Sequence, residues 1–215
     1  MIDISTLAPT IRHQIGWAEV PMKTVGMTFH DIDDSPAKQV VMKWVDTVRS
    51  GVVIKSPGSP SSGLGLLLVG EPGHGKTTLA SIALQELIRT MSQNDKAIRT
   101  GMFMDYPKFL RLEKESWTDE AAKIKIDSVY GDGRDYTSIF VLDDLGKEYR
   151  TQAGWSENIF DALVRARFNA GLPTIITTNV PISKWKTTYG ESMESFAHEA
   201  FVVVEVNSGI GDRRK

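Results

Sequence analysis

LGLLLVGEPGHGKTTLA, residues 64–80, runs from an unbroken apolar segment through a glycine-rich turn and into a helical pattern. Residues 70–77, GEPGHGKT, fit G-x-x-x-x-G-K-[ST], and a strand before with a helix after is the context that pattern requires. Glycines let successive backbone N–H groups curl around phosphate oxygens, and the following helix N-terminus adds partial positive charge. The lysine reaches the same oxygens, and the hydroxyl after it is placed to ligate Mg²⁺. Gly70, Glu71, Pro72, Gly73, His74, Gly75, Lys76, Thr77 and Thr78 are therefore the candidate nucleotide-binding residues, with His74 at a wildcard position. Lys76 also ranks among the candidate catalytic groups, and Thr77 among the metal ligands.

Outward from this loop, apolar segments alternate with helical ones. GMFMDY, SIFVL, PTIITTN and AFVVVEV read as further strands, and TTLASIALQELIRTM, residues 107–114, residues 118–129 and WSENIFDALVRARFNAG read as helices. Strands apolar along their whole length and separated by helices predict a parallel sheet covered on both faces. The fold class is α/β, and ligands of such sheets sit at the carboxyl ends of the strands. Upstream, SPAKQVVMKWVDTVRSG predicts a helix with Ser35 as N-cap, Pro36 at its first position and Gly51 past its end. SPGSPSSG, residues 56–63, reads as a flexible loop. Residues 1–24 are weakly patterned and read as an arm, leaving 25–215 as the core domain.

The composition excludes several classes. Of 215 residues, 41% are hydrophobic and 24% charged, which suits a water-soluble chain. A net charge of −2 supplies no global attraction to nucleic acid or lipid, so such contacts need a local patch. There is no cysteine, hence no disulfide or thiolate metal site, as in a reducing cytoplasm. His13, His30, His74 and His198 have no metal-ligand spacing, and no segment has the apolar length of a membrane span.

VLDDLGKE, residues 141–148, supplies the second element. Asp143 stands at the tip of an apolar strand, where an acid holds Mg²⁺ together with Thr77. Asp144 follows, where a carboxylate orients the attacking water. It is one C–C bond (about 1.5 Å) shorter than the glutamate many ATPases use there, and Glu148 is the alternative base. PTIITTN supplies the third element, a strand ending in Thr177, Thr178 and Asn179, the last a candidate for contact with the γ-phosphate or the water.

The order GEPGHGKT, VLDDLGKE, LPTIITTNV, with VPMKTVGMTFHDID as a lead-in, resembles the AAA+ ATPases of the DnaC/DnaI helicase-loader and IstB transposition-helper group. The resemblance covers roughly residues 18–214. It implies a P-loop NTPase with a five-stranded parallel AAA+ sheet, ATP and Mg²⁺ between neighbouring subunits of a homo-oligomer, and single-stranded DNA and a replicative DNA helicase as partners. Under the IstB-like alternative the client is a transposase. No separate helical lid domain is expected, and engagement of a helicase would rest on a short N-terminal arm. Carried over, Lys76 and Thr77 belong to the nucleotide motif, Asp143 and Asp144 are the metal and catalytic acids, and Asn179 is the first sensor.

Family members carry an arginine finger in the helix before the last strand. GESMESFAHEAF holds none there, and Ser195 occupies the place. A finger contributes on the order of 10³–10⁵ in turnover in related GTPases, so slow hydrolysis is expected, or a substitute among Arg165 and Arg167. Arg213 or Arg214 in the basic tail is a second-sensor candidate. For DNA, Tyr106, Lys108, Arg111 and Lys114 combine a ring with cations at i, i+3 and i+6, a pattern suited to a single strand. Three other readings stay open: the transposition helper, a non-hydrolysing nucleotide-switched binding module, and a small-molecule kinase.

Overall fold

The computed structural model describes residues 1–51, 64–94, 100–131, 136–147 and 154–207. In chain order the elements are α1 (Pro9–Trp17), α2 (Pro36–Arg49), β1 (Gly65–Val69), α3 (Lys76–Asn94), β2 (Gly101–Asp105), α4 (Tyr106–Glu115) and α5 (Glu120–Tyr130). They continue with β3 (Ile139–Leu145), α6 (Trp155–Asn169), β4 (Thr174–Thr178), α7 (Trp185–Tyr189), α8 (Glu191–Ala200) and β5 (Phe201–Glu205). The strands form one sheet in the order β2-β3-β4-β1-β5, and every pairing is parallel. The expected α/β fold with a five-stranded sheet flanked by helices is therefore present.

Each strand feeds both faces because side chains alternate along it. Leu66 and Leu68 of β1 enter one apolar layer with α1, α2 and α3, while Leu67 and Val69 enter the other with α4, α6 and α8. Local signals start and stop the helices. The Ser35 hydroxyl accepts the Lys38 amide with Pro36 at the first turn of α2, and Asp105 and Asp119 cap α4 and α5 in the same way. Gly131, at φ 96°, ends α5 in the left-handed conformation that glycine tolerates best.

The first 24 residues differ from the arm expected of them. Ile11, Ile15 and Ala18 recur at helical spacing and are buried in the first layer with Val20. The Phe103 amide of β2 donates to the Ala18 carbonyl at 2.7 Å, and Glu19 forms ion pairs with Lys108 of α4 and Lys125 of α5. This segment is part of the core because its apolar stripe covers sheet surface that would otherwise face water. The expected loop at 56–63 lies outside the described residues, and among the described residues no helix follows β5.

Candidate functional site

The loop between β1 and α3 occupies a tightly bounded place. Gly73 and Gly75 lie at φ 86° and 89°, and a Cβ on Gly70 would stand 2.4 Å from the Val206 carbonyl oxygen. Only glycine fits at that approach. Lys76, at the start of α3, is 6% exposed, and its Nζ donates to the carbonyls of Gly70 (2.7 Å) and Glu71 (2.8 Å). His74 Nδ1 lies 3.3 Å from the Val206 carbonyl.

β4 runs between β1 and β3, so its tip mediates between the lysine loop and the two aspartates. Thr77 Oγ1 lies 3.0 and 3.1 Å from the two carboxylate oxygens of Asp143, and Thr177 Oγ1 donates to Asp143 Oδ1 at 2.6 Å. Burial pushes the Asp143 carboxyl up; the Thr177 hydroxyl opposes this, neighbouring Asp144 adds to it, and Thr77 opposes it. A desolvated carboxylate beside a threonine hydroxyl is a hard-oxygen donor set that a divalent cation would relieve.

Asp144 adopts φ 61°, an uncommon conformation for a residue with a side chain. The β3–β4 register shifts between Leu142 and Leu145, and this bulge turns the second acid away from the first. The Asp144 amide donates to Thr177 Oγ1 at 3.0 Å, and Lys147 Nζ donates to Asp144 Oδ2 at 2.7 Å.

Lys76, Thr77, Asp144 and Lys147 line one cleft of about 520 Å³, with Asp143 directly behind Thr77. Pro72–Leu79, Asp144, Lys147 and Asn179 form one wall, and Lys23, residues 32–35, Val206 and Asn207 bound the rest. Asn179 Oδ1 is buried without a hydrogen-bond partner among the described residues. Buried polar atoms are nearly always satisfied, so an orphaned acceptor in the cleft fits a donor such as a water ordered beside a bound ligand. The glycine cradle, the Thr77–Asp143 pair and this orphan together fit Mg²⁺ and a nucleotide.

The sequence-predicted residues separate here. Lys76, Thr77, Asp143, Asp144 and Asn179 converge, whereas Tyr106 and Arg167 do not. Tyr106 is fully buried and its hydroxyl donates to the Ser156 carbonyl, so it presents no ring to a base. Lys108 is held by Glu19. Arg111 and Lys114 are exposed, and Lys114 Nζ lies 5.0 Å over the Trp155 ring, which meets the exposed Trp117 edge-on at 6.4 Å.

Arg167 is 0% exposed. Its guanidinium donates to the carbonyls of Val129, Thr137, Ser138 and Pro173 and to Thr174 Oγ1. Burial lowers its pKa to about 9, and these five acceptors keep it charged at neutral pH. It is a keystone between α5, α6 and the starts of β3 and β4, and it cannot serve as a finger. Arg165 is half-buried; its guanidinium bonds Asp161 and Ser192 Oγ and lies 4.4 Å over Phe196. Glu148, Arg213 and Arg214 lie outside the described residues.

Three contributors lie beyond the sequence reading: Lys147, Thr177 as donor to Asp143 and acceptor from the Asp144 amide, and the wall at residues 32–35. Lys147 sits three residues after Asp144, a spacing that returns a side chain to its predecessor across a turn. Among the described residues no helix is long and apolar enough to cross a membrane.

No protein-family model matches the chain, and no curated protein is significantly similar to it. Solved structures are. The crystal structure of the DnaC helicase loader superposes with a TM-score of 0.66 at 21% identity, over 87% of this chain and 100% of that one. DnaI superposes with a TM-score of 0.67 at 19% identity, over 94% and 100%. The replication initiator DnaA bound to AMPPCP and single-stranded DNA gives 0.64 at 13% identity, over 91% of this chain and 53% of that one. The fold expected from three short motifs thus extends across nearly the whole chain: its five-stranded parallel sheet with flanking helices is the fold of the DnaC helicase loader and of DnaI.

Proposed function

We propose that this chain is a slow AAA+ ATPase of replication initiation, which binds Mg²⁺–ATP in the cleft beside Lys76. On this reading it assembles with copies of itself on single-stranded DNA and acts on a replicative helicase in the cytoplasm. The observation that carries it is the convergence of Lys76, the Thr77–Asp143 pair and the orphaned Asn179 oxygen on one cleft.

Lys76 exchanges the carbonyls of Gly70 and Glu71 for phosphate oxygens. Thr77 and Asp143 hold Mg²⁺, which when bound neutralises charge developing on the phosphates. Asp144 orients the attacking water as general base, and Asn179 Oδ1 at the end of β4 accepts a hydrogen bond from the same water. Arg165 is the remaining described candidate for a finger acting on a neighbouring subunit. Its partners Ser192 and Phe196 flank Ser195 on α8, so its guanidinium lies on the helix where the family carries its own. Likeness to DnaC and DnaI supports a helicase client over a transposase.

The test is a pull-down of the replicative helicase with and without ATP, repeated with Lys76→Ala, beside direct nucleotide titration. ATP-dependent capture lost in the variant is the expected result. Capture indifferent to both nucleotide and variant, or capture of a transposase instead, would overturn the helicase assignment. Failure of the wild type to bind ATP would overturn the ATPase itself.

A further inference from the structure

The backbone that carries Lys147 is held by local contacts. The Leu145 carbonyl accepts Thr178 Oγ1 at 2.8 Å. Gly146 turns the chain at φ 96°, where a Cβ would stand 2.7 Å from Val180. The Lys147 amide then donates to the Asp144 carbonyl at 3.2 Å. This backbone delivers Nζ into the cleft that Thr77 and Asn179 also line, 2.7 Å from Asp144 Oδ2. The roles assigned above leave this cation unused.

Its pairing is suited to exchange. Asp143 and Asp144 are adjacent carboxylates, and Lys147 answers the second. The lysine side chain is 44% exposed and the aspartate 30%, so water competes for the pair and it holds weakly. A terminal phosphate carries more charge and more acceptor oxygens than a carboxylate. The ammonium rides on a flexible four-carbon stem, so it can move to a phosphate without disturbing the turn that carries it.

We infer that Lys147 is a positioning and specificity residue of the cleft. It holds the Asp144 carboxylate when no nucleotide is bound and passes to the terminal phosphate of a nucleoside triphosphate, freeing Asp144. A diphosphate lacks that phosphate and leaves the pair intact. Discrimination between the two nucleotides and release of the base are then one event. This rests on the nucleotide reading above.

Calorimetric titration of the full chain with Mg²⁺–AMPPCP and with Mg²⁺–ADP tests it without turnover, in the wild type, Lys147→Met and Lys147→Arg. The methionine keeps the stem and removes the charge. AMPPCP should bind it roughly threefold to tenfold more weakly, with ADP affinity unchanged and most of the preference retained by the arginine variant. Equal weakening for both ligands, or none for either, overturns the inference and leaves the nucleotide site standing. A wild type that binds neither ligand overturns both.

Discussion

Thr177 donates its hydroxyl to Asp143 at 2.6 Å and with the same oxygen accepts the amide of the next residue at 3.0 Å. One side chain on β4 thereby fixes the carboxylate of one acid and the backbone of the other. The two aspartates can point apart because this threonine holds the bulge between them.

Asp144→Asn isolates the carboxylate from the backbone, since asparagine accepts the left-handed conformation that alanine would resist. Turnover should fall by about 10²–10⁴, the usual contribution of a general base, while nucleotide affinity is retained. Steady-state ATPase assays beside calorimetry check this. Undiminished turnover would place the base elsewhere.

On the proposed role of Asp143 as metal ligand, metal binding depends on pH. Its carboxyl is raised by burial, so between the ordinary carboxylate value and the raised one the native state holds more protons than the unfolded. Without metal, its contribution to stability therefore declines as pH rises through that window. Mg²⁺ needs the deprotonated form. The thermal stabilisation by Mg²⁺–nucleotide should be larger at pH 7.5 than at pH 5, and Asp143→Asn should flatten that difference.

Arg167→Met should act on stability alone. It strips a buried donor from four carbonyls and a threonine, and each unsatisfied group costs about 1–3 kcal/mol without simple additivity. A loss of about 3 kcal/mol or more corresponds to a melting point roughly 6–12 °C lower for a chain of this size. Calorimetric melting measures it, and nucleotide affinity of the folded fraction should be unchanged.

Arg165→Ala should leave nucleotide affinity intact and lower turnover only at protein concentrations where subunits assemble. A loss of turnover independent of concentration would mean that Arg165 merely ties α6 to α8.

Arg111→Ala and Lys114→Ala should each reduce the salt dependence of single-strand binding by roughly 0.7 in the log–log slope. Tyr106→Phe should not. Filter binding or anisotropy across a salt series separates the two outcomes.

The strands, the lysine loop and the acid pair were legible because each is a short-range pattern. For Arg165 and Arg167 the spacing itself carries the distinction. Residues two apart on a helix face nearly opposite ways, so they could not both address a neighbouring subunit. Tyr106 repeats the lesson, since with Phe109, Leu110 and Glu113 it forms the buried i, i+3, i+4, i+7 stripe of α4. Its two-residue offset from Lys108 puts it opposite the basic row. The wall at residues 32–35 needed the tertiary arrangement, because no local pattern says which loops meet at the ends of β1 and β3, whereas the three-residue spacing of Asp144 and Lys147 was a local signal.

The segment around Ala18 bears on how copies of this chain can meet. A sheet margin with free backbone groups invites a strand from another molecule. Here Ala18 already occupies the Phe103 amide, and Glu19 clasps Lys108 and Lys125 alongside it. An incoming strand at β2 would have to evict all three contacts. This flank is guarded against edge-to-edge aggregation.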